Sequence, residues 1–111
     1  MPDLSIEFTV RPPTVAAAVY GVMTVVSEHT SSLARLDDLR VALDELFYAL
    51  PQDEDVRVDL EVRVEKDRSR VRFHADAKDV VVHPSVGALV DELDVAHEPN
   101  GTTARLAVTH D

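Results

Sequence analysis

Apolar residues at Leu4, Ile6, Phe8 and Val10 alternate with polar ones, which predicts an opening strand with one buried side. Arg11, Pro12 and Pro13 end it, because proline supplies no donor to a sheet ladder. From 14 to about 28 the spacing of Val15, Val19, Val22 and Val26 turns helical. Ala16, Ala17 and Ala18 favour a helix there, while Gly21 and the β-branched residues oppose it weakly, so packing against a sheet or another helix must hold it. Beyond a hydroxyl-bearing linker at 29–32, Leu36, Leu39, Leu43, Leu46, Phe47 and Leu50 recur every three or four residues. They predict a second helix over 36–50, stopped by Pro51 and followed by an acidic loop at 52–55. Val56, Val58, Leu60, Val62 and Val64 then alternate with Arg57, Asp59, Glu61, Arg63 and Glu65, a strand with one buried and one solvated face. Residues 66–69 form a tight reversal, and Val71, Phe73 and Ala75 mark the returning strand.

The run Val80, Val81, Val82 is too short to assign. Pro84, tolerated in a first turn, opens a short helix predicted to reach about Leu93, with Val86, Leu89, Val90 and Leu93 facing inward. Asn100 and Gly101 are a hairpin signal between a strand at 94–98 and a last strand that carries Ala104, Leu106 and Val108 on one face. Arg105 and Ala107 take the other face. The order strand, helix, helix, strand, strand, helix, strand, strand predicts an α+β fold, a two-layer sandwich with helices on one face of a mostly antiparallel sheet.

With 111 residues and 45% hydrophobic side chains, residues 1–111 are expected to form a single domain around one core. Eleven basic against twenty-one acidic residues give a formal charge of −10, which disfavours direct binding of nucleic acid or of an anionic membrane. The same field would speed encounter with a basic protein surface. There is no cysteine, so disulfides, thiolate catalysis and zinc-thiolate sites are excluded. Met1, Pro2, Asp3 and Leu4 carry none of the features of a secretory signal, and no apolar run approaches the roughly 20 residues of a membrane span. A cytoplasmic location is the expectation.

His29, His74, His83, His97 and His110 have no helical metal-binding spacing, so no metal site is expected. Asp37, Asp38, Asp44 and Glu45 make one acidic helix face, read either as a solvated face or as a partner surface. The stretch Leu36-Asp37-Asp38-Leu39-Arg40-Val41-Ala42-Leu43-Asp44-Glu45 resembles the N-box helix of RsbW-like anti-sigma factors, which are serine kinases of the GHKL, or Bergerat, ATPase fold.

By that resemblance Glu45 corresponds to the glutamate that helps activate the nucleophile. The asparagine that ligates magnesium one turn later is replaced by Ala49, whose methyl group offers no oxygen to a hard cation. Asp76 corresponds to the aspartate that reads the adenine amino group. No glycine follows it at 77–80, however, and only seven residues separate it from Pro84, too few for a lid over phosphates. Without the motif, Glu45 reads as an ordinary residue on the polar side of a helix and Asp76 as a turn residue.

The resemblance thus implies a reduced Bergerat-like domain with a short or absent ATP lid. It would be an anti-sigma-factor-like regulator that binds a sigma factor or an anti-anti-sigma protein, forms a homodimer and needs no cofactor. On this reading the chain is a degenerate kinase and not an enzyme. Two alternatives stand beside it: an active serine kinase binding magnesium-ATP through Glu45 and Asp76, and an unrelated α/β binding or oligomerisation module.

Overall fold

The computed structural model describes residues 4–10, 15–28, 33–51, 56–78 and 80–109. The expected linkers at 11–13, 29–32 and 52–55, with His29 and His110, lie outside them. The elements are β1 (Leu4–Val10), α1 (Val15–Ser27), α2 (Leu33–Tyr48), β2 (Val58–Val64), β3 (Arg68–Ala75), α3 (Ser85–Leu89), β4 (Glu92–Glu98) and β5 (Gly101–Thr109). The strands form one sheet in the order β1-β2-β3-β5-β4, and each neighbouring pair is antiparallel. The predicted two-layer α+β arrangement is the one observed.

One face of the sheet supplies half of the core. In β2, Val58, Leu60, Val62 and Val64 are all buried, and the register continues their rows across the sheet: Leu60 faces Phe73, which faces Ala104, and Val62 faces Val71, which faces Leu106. Across from them, α1 supplies Val19, Val22 and Val26, and α2 supplies Leu39, Ala42, Leu43, Leu46 and Phe47. The Phe47 ring meets Phe73 edge-on, with centroids 5.1 Å apart and planes at 80°, a favourable aromatic geometry that seats α2 on the middle of the sheet. At about 25 cal/mol per Å² of apolar area removed from water, this layer is what holds the fold.

Two local expectations change. The helix predicted to reach Leu93 stops at Leu89: Val90 is extended (φ −121°, ψ 163°), the Asp91 N–H donates to Ala107 O at 2.9 Å, and Leu93 lies opposite Leu106. Leu93 therefore serves a strand and Val90 the extended lead into it, with the backbone groups from Asp91 onward satisfied by the ladder on β5. The last hairpin also turns one residue early. Glu98 pairs with Gly101, so Pro99 and Asn100 are the turn residues. Proline cannot take the positive φ of a type I′ turn.

Gly101 begins β5 with φ 144°, and a Cβ there would fall 2.1 Å from Ala75 O. Glycine is required for this close approach of β5 to the end of β3, as well as for the backbone angle. Val80 is buried although it belongs to no helix or strand, so it closes one end of the core.

Candidate functional site

Glu45 lies half-buried on α2, one turn before the half-buried Ala49, whose N–H donates to Glu45 O at 3.1 Å. Ala49 packs against the core. Asp76 lies just past β3, with its N–H on Arg57 O at 3.0 Å and its side chain about half exposed. The three depressions described below are lined by neither Glu45 and Asp76 together nor by Glu45 at all. Asp76 instead lines one that opens on the uncovered side of the sheet, together with Arg57, Asp59, His74, Glu98 and Thr103.

In that depression three side chains form a relay. Thr103 Oγ1 donates to Glu98 Oε1 at 2.6 Å, so its oxygen must accept from His74 Nδ1 at 2.7 Å. The proton of a neutral His74 ring is therefore on Nδ1, and Nε2 faces Asp76 Oδ1 at 3.5 Å. Thr103 is almost fully buried, and these bonds satisfy its hydroxyl. The chain after Asp76 is tied down as well. Thr102 Oγ1 donates to Ala77 O at 2.8 Å and to Lys78 O at 3.1 Å, and His97 Nδ1 donates to Lys78 O at 3.2 Å. The segment in which the resemblance would seek a lid is bonded to the β4–β5 hairpin.

A groove of about 500 Å³ runs between α1 and α2, with Val19, Met23 and Leu36 along its walls. Tyr20, 75% exposed, stands at its rim, and Arg40 closes one side by bridging Asp37 at 2.8 Å and Asp44 at 3.2 Å. An exposed aromatic beside half-buried apolar side chains, with charges at the rim, has the composition of a protein-binding patch. Sequence reasoning missed it. The available signal was Tyr20, which falls off the Val15, Val19, Val22, Val26 stripe and so had to point away from the core.

A second feature that spacing could not show is the clamp on the far end of α2. Arg35 pairs with Asp38 and Asp91, and its Nε donates to Thr109 O at 3.3 Å. The Thr109 N–H donates to Asp91 Oδ2 at 2.6 Å. That backbone bond, with Arg35 beside it, holds the Asp91 carboxyl below the ordinary aspartate range. No group of metal-ligating side chains is present among the described residues, and no helix among them is long and apolar enough to cross a membrane.

These elements define a class: an antiparallel five-stranded sheet, helices on one face only, and an apolar groove between the first two helices. No protein-family model matches the chain, and no curated protein matches it in sequence. The fold is similar to that in the crystal structure of the RsbU and RsbW domains of Rv1364c from Mycobacterium tuberculosis, with a TM-score of 0.72 and 16% identity over 97% of this chain. This chain spans 32% of the length of that one. The likeness is consistent with the fold expected from residues 36–45.

Proposed function

We propose that this chain is an RsbW-type regulator that acts by binding a protein, a sigma factor or an anti-anti-sigma protein, after losing its ATP site. The matched third of the mycobacterial protein is, on this reading, its RsbW domain. The observation that carries the proposal is the combination of that fold with an exposed apolar groove between α1 and α2. Tyr20 and Met23 would supply the buried anchor of such a contact, and Asp37 and Asp44 would meet a basic rim on the partner.

Loss of the nucleotide site is supported by chemistry at three places. Ala49 has no oxygen for magnesium, no glycine follows Asp76, and the carbonyls of Ala77 and Lys78 are already engaged by Thr102. Isothermal titration with magnesium-ATP is expected to give no saturable heat at millimolar nucleotide; a magnesium-dependent isotherm would return the active-kinase reading. The partner is tested by capture from the native cell. A sigma factor or its antagonist should be recovered with wild type and lost with Tyr20→Ala combined with Met23→Glu, and recovery of neither protein would remove the proposal.

A further inference from the structure

The uncovered face of the sheet carries a second surface, separate from the α1–α2 groove. Register lines its side chains into rows: Glu61, Arg72, Arg105 and Asp94 in one, and Arg63, Arg70, Ala107 and Glu92 in the next. Two arginine pairs therefore stand directly opposite each other on neighbouring strands, Arg72 with Arg105 and Arg63 with Arg70. Like charges placed this way work against the fold. A chain with nearly twice as many acidic as basic residues has nevertheless put arginines at these four central positions.

Acids line the same face, Glu61, Glu92 and Asp94 in one depression and Asp59, Asp76 and Glu98 in the other, but they pair with only part of the central group. Arg70 is committed to Glu65 at 2.6 Å and reaches Glu92 at 3.6 Å, whereas Arg72 comes no nearer than 3.8 Å to Glu61. Among the described residues, Arg63 and Arg105 form no ion pair. Two depressions of about 340 and 380 Å³ open on this face, and both are lined by Arg72 and Arg105. The small side chain of Ala107, in the same row as Arg70, leaves room in the first of them.

We propose that this arginine-centred face binds an acidic peptide segment of a partner protein, its carboxylates held by Arg72, Arg105 and Arg63. A guanidinium presents a planar fork of donors that matches a carboxylate. The two arginine rows are one alternate-residue step apart along β3, about 7 Å, which is also the spacing of same-side carboxylates on an extended chain. A second copy stacked face to face on a central two-fold axis would set arginine against arginine, so self-association does not suit this surface. Glu61, Glu92 and Asp94 at the edge of the patch repel any polyanion that overruns the arginines, so a nucleic-acid strand, with a phosphate at every nucleotide, is the rival occupant that the oligonucleotide competitor tests.

Fluorescence anisotropy with labelled hexaglutamate tests the proposal, with inorganic phosphate and a single-stranded oligonucleotide as competitors. Wild type should bind the peptide with an affinity that falls as salt rises. Arg72→Gln combined with Arg105→Gln should weaken it roughly tenfold, the scale expected for losing charge-assisted hydrogen bonds. Lys66→Gln, in the exposed turn between β2 and β3, should leave it unchanged. No binding to hexaglutamate, equal binding by the double variant, or displacement by the oligonucleotide at lower concentration than by unlabelled peptide would each overturn the proposal. Circular dichroism verifies the fold of the double variant, and if it unfolds, Arg105→Gln alone is read in the same titration. The groove plays no part in this assay, so its failure leaves the proposed function standing.

Discussion

Phe73 and Arg72 are neighbours on β3 and belong to different worlds. Phe73 points to the helices, is 1% exposed and touches the Phe47 ring, while Arg72 points away from them and makes one long contact to Glu61. The same contrast repeats along every described inner strand: Leu60 against Glu61 on β2, and Leu106 against Arg105 on β5. Removal of apolar surface from water fixes residue choice on the covered face, since any polar substitution there leaves an unsatisfied group. On the uncovered face the stability cost of one charge or another is small, so residue identity is free to answer to something other than folding. That asymmetry is why the arginine rows are informative and the valine rows are not.

The largest expected effects separate the two faces directly. Phe73→Ala should cost about 3–5 kcal/mol in urea unfolding through the cavity it leaves against Phe47 and Leu60. Arg72→Gln, one residue away, should change stability by less than about 0.5 kcal/mol. Comparable losses in the two variants would break the comparison. Gly101→Ala should follow at about 3 kcal/mol, since a strained backbone and an overpacked contact with Ala75 O each cost ~1–3 kcal/mol.

Thr103 sharpens the contrast, because it is a buried side chain on the uncovered face. Thr103→Val keeps the shape, removes the hydroxyl between His74 and Glu98, and should cost about 1–2 kcal/mol. The imidazole NMR signals of His74 should shift in this variant, as Nδ1 loses its acceptor. Unchanged signals would mean that the relay does not set the tautomer.

How much of this was legible depended on whether the deciding contact was local. α2 and β2 could be read from residues 36–50 and 56–65, because burial follows a single period along each. Val90 and Leu93 fit a helix stripe as well as a strand, and only the ladder with β5, distant in sequence, decides for the strand. Asn100 and Gly101 announced a hairpin, yet Pro99 moved its turn by one residue, and the reason for glycine at 101 is Ala75 O, which no local pattern contains. For the site, a motif could bring Glu45 and Asp76 forward. The α1–α2 groove and the arginine rows could not be named, since each exists only once two elements are set side by side.

The smallest expected effect concerns the clamp that ties the helical layer to the end of β5. Asp91 accepts from the Thr109 N–H and pairs with Arg35, and its carboxyl titrates below the ordinary aspartate value. A depressed folded-state pKa means that the carboxylate stabilises the fold above the unfolded value. Its contribution is lost as pH falls through the folded value, in the window below about pH 4. Asp91 is 45% exposed, so solvent screening limits the contribution to about 0.5 kcal/mol. Asp91→Asn should therefore be less stable than wild type by about that amount near pH 7, with the gap narrowing as pH falls below about 4. A gap that persists unchanged at the lower pH would show that the clamp works through the shape of the side chain and its hydrogen bonds, and that charge has little part in joining the two layers.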